Sequence, residues 1–230
     1  MSQNKELFLA EYGNSKLLNS ALNNPDSEVR SAAFYNANIT KDHIDKALDD
    51  TDEWVRRSAI EHPNAAKENI DKALDDTNKF VREKAIEHHN VTIKHIDKAL
   101  GDKDEYVRKA ATRHPNVTVK HIDTAMNDKY KDVRAAAIIH PNATVNHIDK
   151  ALDDESEYVR AAAVRNPKAT SEHIGKALGD KDEYVRTSAI EHPDTTKEHI
   201  EKALGDKSIY VRFSAKEAAR KKKSILNVAK

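Results

Sequence analysis

Cysteine is absent from this 230-residue chain. Its absence excludes a disulfide framework and a thiolate metal site, and it fits a reducing compartment. Net charge is absent as well, because 39 Lys and Arg balance 39 Asp and Glu. A dedicated nucleic-acid binder carries a basic excess, which the chain as a whole lacks. No apolar run approaches the roughly 20 residues that span a bilayer. The opening residues, MSQNKELFLAEYGN, hold no long apolar stretch of the signal-peptide kind. A soluble, cytoplasmic protein with no membrane partner is expected. No catalytic constellation stands out, so neither enzymatic activity nor a cofactor is expected.

What the chain does have is a period. A Val-Arg pair, with Ala at the third position after the Arg, recurs at constant spacing: Val29-Arg30, Val55-Arg56, Val81-Arg82, Val107-Arg108, Val133-Arg134, Val159-Arg160, Val185-Arg186 and Val211-Arg212. The interval is the same in every case, that from Arg30 to Arg56, and a fixed period of this size marks a solenoid. Ahead of each pair stands a helix-capping column, Asp26, Asp52, Asn78, Asp104, Tyr130, Ser156, Asp182 and Ser208. All but Tyr130 are types whose side-chain oxygen accepts from an orphan backbone N–H. The first helix of a repeat, as in Glu53–Glu61, stops at His62-Pro63-Asn64, where Pro disfavours helix in the residue before it. A second capping column follows, Thr40, Ala66, Thr92, Thr118, Thr144, Thr170 and Thr196. It opens a second helix whose apolar residues, such as Ile44, Ala47 and Leu48, form one stripe.

Each repeat is therefore two short antiparallel helices joined by a tight turn. Helices of this length are marginal alone in water, so the pairs must stack. One repeat domain is expected over residues 1–230. An amphipathic segment from Lys5 to Tyr12, closed by Gly13, forms an N-terminal cap within 1–14; the repeats fill 15–206. Residues 207–230 carry the last repeat helix and a C-terminal capping helix, reaching from about Ser208 to Val228.

The line Asp-x-Asp-x-x-Val-Arg-x-x-Ala-x-x-His-Pro-Asn, with a second helix after it, resembles bacterial and phage HEAT-like repeat proteins. It is also similar to the leucine-rich-repeat variant. The period is short for HEAT repeats, which run to about 40 residues or more. The resemblance implies an all-α, right-handed α-solenoid, and a binding scaffold with the second helix of each repeat lining the concave face. It implies no chemistry.

Several columns could carry either structure or function. Arg56, Arg82, Arg108, Arg134, Arg160 and Arg186 lie at the edge of the packed face. They match a column of Asp50, Asp76, Asp102, Asp128, Asp154 and Asp180, and Arg–Asp pairs tying adjacent repeats are the expectation. One histidine column ends the first helix (His62, His88, His114, His140, His192) and reads as turn-stabilising. Another opens the second helix (His43, His95, His121, His147, His173, His199) and flanks its apolar stripe. No recurring third ligand accompanies them, so no metal site is expected. An aromatic column, Trp54, Phe80, Tyr106, Tyr158, Tyr184 and Tyr210, reads as packing between first helices rather than as a base-stacking platform.

Columns that vary on an exposed face are where specificity can reside. On the second helix the central repeats lose their acids, leaving Lys94, His95, Lys98, Lys120, His121, Thr124 and Asn127 as a candidate partner-binding patch. A second basic cluster is Arg220, Lys221, Lys222 and Lys223. Ile209 and Phe213 replace the usual polar residues and are expected to pack under the C-terminal helix or to make a homodimer contact. The leading functional expectation is a non-enzymatic scaffold for another protein, as a monomer or weak homodimer. Nucleic-acid binding through the central basic patch is the alternative, with glycosylase-type activity disfavoured. A designed scaffold without a native partner fits the regularity less well than natural duplication, given irregular positions such as Ala66, Asn69 and Asp132.

Overall fold

The computed structural model describes residues 15–228, with side chains described from 17 to 222. The expected N-terminal cap, Lys5 to Gly13, lies outside the described residues. Sixteen α-helices and no strand occur among those described: α1 Ser15–Leu22, α2 Ser27–Ala32, α3 Lys41–Ala47, α4 Glu53–Glu61, α5 Lys67–Ala73, α6 Lys79–Glu87, α7 Ile93–Leu100, α8 Glu105–Arg113, α9 Val119–Ala125, α10 Lys131–Ile139, α11 Val145–Ala151, α12 Glu157–Arg165, α13 Ser171–Ala177, α14 Glu183–Ile190, α15 Lys197–Leu204 and α16 Ile209–Val228. Even-numbered helices are the first of a repeat, here helix A; odd-numbered helices are helix B. The helices group into two compact units, one up to Val117 and the other from Thr118, and each is a stack of the same kind.

The helix boundaries fall where the capping columns put them. Asp52 Oδ1 accepts from Trp54 N–H (2.9 Å), and Asn78, Asp104 and Asp182 do the same for their helices. Tyr130, the exception by residue type, makes no side-chain cap. Most helices A end at a residue in extended conformation: His62 (ψ 134) does so before Pro63, which disfavours the helical region, and His88 (ψ 141) does so before His89, each accepting on Nδ1 the N–H two residues on.

Within each unit, successive helices A pack on one another and on the helices B beside them. The core is the Val and Ala of the repeat line with the helix B stripe: Val55, Ala59 and Ile60 against Ile70, Ala73 and Leu74, all buried. One further buried column escapes the periodic reading. Ile39, Ala65, Val91, Ala143 and Ala169 stand immediately before the helix B cap and are buried together with the isoleucine one turn into the helix, such as Ile44 after Ile39. Those are the two positions of a hydrophobic staple, which fixes the angle at which the chain enters the helix.

The Arg–Asp expectation holds in both units. Arg56 Nε and Nη2 grip Asp76 through two parallel bonds of 2.7 and 3.0 Å, while Nη1 donates to the carbonyls of Asp50 and Thr51. Arg30, Arg82, Arg134, Arg160 and Arg186 repeat the arrangement toward Asp50, Asp102, Asp154, Asp180 and Asp206. The same carboxylates accept the N–H of the second residue on, as Asp76 does from Asn78. The guanidinium beside them holds Asp50 and Asp206 below the usual carboxylate range. Asp102 and Asp180 sit below it too, although burial, the largest influence on them, pushes the other way.

Two expectations are corrected. The helix A aromatics are a surface feature: Trp54 is 59% exposed, and Phe80, Tyr106, Tyr158, Tyr184 and Tyr210 are exposed as well. They point outward and take cations on their faces, with Lys79 over Tyr106 and Lys131 over Tyr158. Tyr158 and Tyr184 also approach each other, at 5.9 Å between ring centres. Ile209 (66%) and Phe213 (64%) are exposed rather than covered. The reason is that α16 is one uninterrupted helix of 20 residues, so its C-terminal part continues along the axis instead of folding back.

Arg160 is 4% exposed and forms the ion pair of Asp180. Replacing Arg160 by Met strands a half-enclosed carboxylate, and a loss of about 3 kcal/mol is expected in urea unfolding. A loss under about 1 kcal/mol would show that water replaces the guanidinium without penalty.

Candidate functional site

Every residue that opens a helix B serves the backbone first. The imidazole at the third helical position turns back to the cap. Thr92 N–H donates to Nδ1 of His95 (3.0 Å), and the same bond joins Thr118 to His121, Thr144 to His147 and Thr170 to His173. An Nδ1 that accepts an N–H leaves the ring proton on Nε2. That proton is used across the repeat boundary: His95 Nε2 lies 3.3 Å from Asp71, His147 3.0 Å from Asp123 and His173 2.8 Å from Asp149. The other histidine column works alike. Nδ1 of His62 and His88 accepts the N–H of Asn64 and Asn90, and Nε2 bonds the carbonyl one repeat back, Asn36 and His62.

The candidate patch is thereby corrected at two positions. His95 (2% exposed) and His121 (3%) are buried capping groups and do not reach the surface. The helical angle places them at the rim of the stripe, but the pull of the unsatisfied cap N–H decides their direction. Lys94 and Lys120 are exposed. Lys98 is bridged to Asp75 at 2.7 Å. Thr124 donates to its own helix at Lys120 O, and Asn127 to Asp123 O.

Lys98 belongs to a ladder that no single-helix projection reveals. A lysine on one helix B reaches back to the aspartate that ends the helix B before it: Lys72 to Asp49 (2.9 Å), Lys98 to Asp75, Lys176 to Asp153 (2.7 Å). The helix B face is thus largely self-neutralised. The aspartate is absent at Lys46, Lys150 and Lys202, whose matching positions are Asn23, Asn127 and Gly179; Lys46 donates instead to Asn23 Oδ1 at 2.8 Å. Beside Lys150 opens a shallow cleft of about 500 Å³ lined by Val119, Asp123, Thr144, Val145, Asn146 and His147. Val119 and Val145 are exposed there, at a position that is also apolar and exposed at Ile93 and is Lys or Ser at Lys41, Lys67, Ser171 and Lys197.

At the C-terminal end, Arg220 bonds Glu217 and Lys222 Nζ donates to Thr195 O, while Lys221 is exposed. The Lys223 side chain lies outside those described. Among the described residues, no group of three His, Asp or Glu side chains is placed to hold a metal ion, and no helix is long and apolar enough to cross a membrane.

Two solved structures share this arrangement. A leucine-rich-repeat variant described by its novel repetitive structural motif superposes with a TM-score of 0.74, at 19% identity over 93% of this chain and 84% of that one. YibA of Escherichia coli does so at 0.54, with 17% identity over 95% and 96%. The fold is a HEAT-like helical-repeat solenoid. No family model and no curated protein matches the chain in sequence. The solenoid's short period is met by shortening both helices, to nine residues in most helices A and seven or eight in helices B.

The solenoid favours the neutral form at four of its column histidines. Burial is the leading cause that keeps His62, His88, His95 and His199 below the ordinary imidazole range; Lys94 and Lys98 add to it at His95, against Asp71, and Lys202 and Lys222 at His199, against Glu198. A folded-state pKa under the unfolded value of about 6.5 means that stability is whole above that value and is lost as pH falls through the folded pKa. The melting temperature should therefore drop between pH 7.5 and 5.5, and equal values at the two would contradict this. The interrupted column offers a second check. Asn69 takes the histidine's place; its Oδ1 accepts from Ala66 N–H, but its Nδ2 is buried without a partner. Asn69→His supplies an Nε2 toward Asp45 and should add about 1 kcal/mol; no gain in thermal unfolding would remove that account of the column.

Proposed function

We propose that the chain is a non-enzymatic scaffold that binds another protein through its helix B face, centred on the cleft beside Val119 and Val145. The observation that carries this is that exposed apolar side chains and a lysine without an aspartate bridge meet at one cleft. Exposed valines stand where Lys41, Lys67 and Lys197 stand in other repeats, and Lys150, like Lys46 and Lys202, has no aspartate at the position that bridges Lys72, Lys98 and Lys176. A lysine without that bridge, next to exposed apolar side chains, fits a polypeptide segment with an apolar residue flanked by acidic ones. Burying the two valines supplies affinity, about 1.5 kcal/mol or more each, and the lysine sets orientation and encounter rate.

Nucleic acid is a poorer fit. Phosphate binding requires a track of unneutralised cations, whereas Lys72, Lys98 and Lys176 are bridged to carboxylates on the neighbouring helix. The exposed aromatics of helix A already carry cations on their faces and are interspersed with Glu53, Glu105, Glu157 and Glu183.

The test pairs wild type with Val119→Ser, Val145→Ser, Lys150→Glu in one chain, a set of surface changes that should leave the melting temperature within a few degrees. Affinity capture is run with and without nuclease, and the captured protein is purified and titrated against both. Nuclease-resistant binding that weakens about a hundredfold in the variant, the roughly 2–3 kcal/mol expected of lost valine burial, bears the proposal out. Capture abolished by nuclease transfers the function to nucleic acid, and equal affinity for both chains removes the cleft from the binding face.

A further inference from the structure

The helix B columns form a three-part cluster, complete at Asp71 and repeated in part at Asp45, Asp123 and Asp149. An aspartate on one helix B faces the Nε2 of the histidine that opens the next helix B and lies beside the lysine one turn further along it. Asp71 has His95 at 3.3 Å, and Lys98 Nζ donates to its carbonyl at 3.4 Å. Asp45 has Lys72 on both its carbonyl (2.8 Å) and its carboxylate (3.6 Å). Asp149 has His173 at 2.8 Å.

In the last full repeat the aspartate is missing and its two partners remain. The column reads Asp45, Asp71, Asp97, Asp123, Asp149 and then Gly175. His199 is oriented like its counterparts, with Nδ1 accepting from Thr196 N–H at 3.2 Å, so its Nε2 carries the proton and points where a carboxylate stands in the other repeats. Lys202 Nζ lies 3.5 Å from Gly175 O, in the counterpart geometry. A third cation, Lys222, anchors on Thr195 O and acts on His199 electrostatically.

Nothing in the packing calls for glycine at 175. A Cβ placed there would meet His199 Nε2 at 3.6 Å, an ordinary contact, and no glycine among the described residues has positive φ. Glycine inside α13 is a poorer helix former than alanine. The fold thus keeps the donors, deletes the acceptor and carries a helix penalty at the same spot.

We infer that His199, Lys202 and the space above Gly175 form a binding site for a carboxylate, supplied by an acidic side chain of a protein partner. The neutral imidazole donates one hydrogen bond from Nε2, the ammonium contributes a charge-assisted contact, and Lys222 adds field without occupying the slot. The site rests on the protein-binding reading only for the source of the carboxylate; it does not depend on the cleft at Val119 and Val145.

The experiment reads His199 directly. Side-chain 15N resonances of the full chain are followed at pH 7.5 and constant ionic strength while acetate, phosphate or a tetraglutamate peptide is added. Acetate should move the His199 ring resonances saturably and leave His147 and His173, which own their carboxylates, in place. Tetraglutamate should do so at about tenfold lower concentration, because its linked carboxylates raise the effective concentration. Gly175→Ala should keep the response. Gly175→Asp should abolish it and bring the His199 signals to those of His173, and Lys202→Gln should weaken it. An unmoved His199, or an undiminished response in Gly175→Asp, overturns the site. Phosphate acting as strongly as acetate overturns the carboxylate assignment, and tetraglutamate no better than acetate overturns the assignment to a partner's side chain.

Discussion

A guanidinium held between a carboxylate of the following repeat and two carbonyls of the turn before its own helix is what makes this chain a stack rather than a string of helix pairs. Arg56 illustrates it, with Asp76 in front and the carbonyls of Asp50 and Thr51 behind. All five N–H groups of an arginine fit a planar fork, and here the fork closes a polar seam that the small core cannot close by itself. Val and Ala give little surface per repeat, and helices of this length do not persist alone. The seam supplies what burial lacks: carbonyls freed by the turn find donors, and the aspartate caps a nearby N–H as it receives the arginine.

The histidines do the same work where the chain turns the other way. An imidazole is the one side chain that accepts from a backbone N–H on one nitrogen and donates to the next repeat from the other while remaining uncharged. His88 bonds Asn90 N–H and His62 O; His173 bonds Thr170 N–H and Asp149. His62, His88, His147 and His173 thus spend both ring nitrogens on structure.

Much of this was legible in the residues and some was not, for identifiable reasons. Both members of each Arg–Asp pair occupy invariant columns, and a bidentate pair has few geometric alternatives, so the seam could be read from residue types alone. The helix A caps at Asp52, Asn78, Asp104 and Asp182 followed from residue type, and Tyr130 was recognisable as a departure, whereas Ser156 has a capping type but leaves its hydroxyl without a bond. The helix B histidines were misplaced onto the surface because angular position on a helix says nothing about a side chain drawn back to an unsatisfied N–H. The aromatic column was visible as a column, but a fixed position is not necessarily a buried one; Trp54 and Tyr158 are exposed and each has a neighbouring cation over its ring. The lysine–aspartate bridges join different helices, as Lys72 on α5 joins Asp49 beyond α3, so no projection of one helix contains both ends. Finally, Ile39, Ala65 and Val91 change size from repeat to repeat, which hid a buried column inside the turn.

The spacing of the arginine contacts has a genetic meaning. From Asp50, whose carbonyl Arg56 holds behind, to Asp76, whose carboxylate it holds in front, is one whole period. A segment of that length copied in place between Asp76 and Arg82 would therefore deliver a new arginine to an existing aspartate and a new aspartate to an existing arginine, with no bond left open on either side. Unequal recombination in such a gene lengthens or shortens the protein by whole repeats, and the seam heals at the join. The departures at Asn127, Asn69 and Gly175 are single-residue changes that such an exchange of whole repeats would carry along intact.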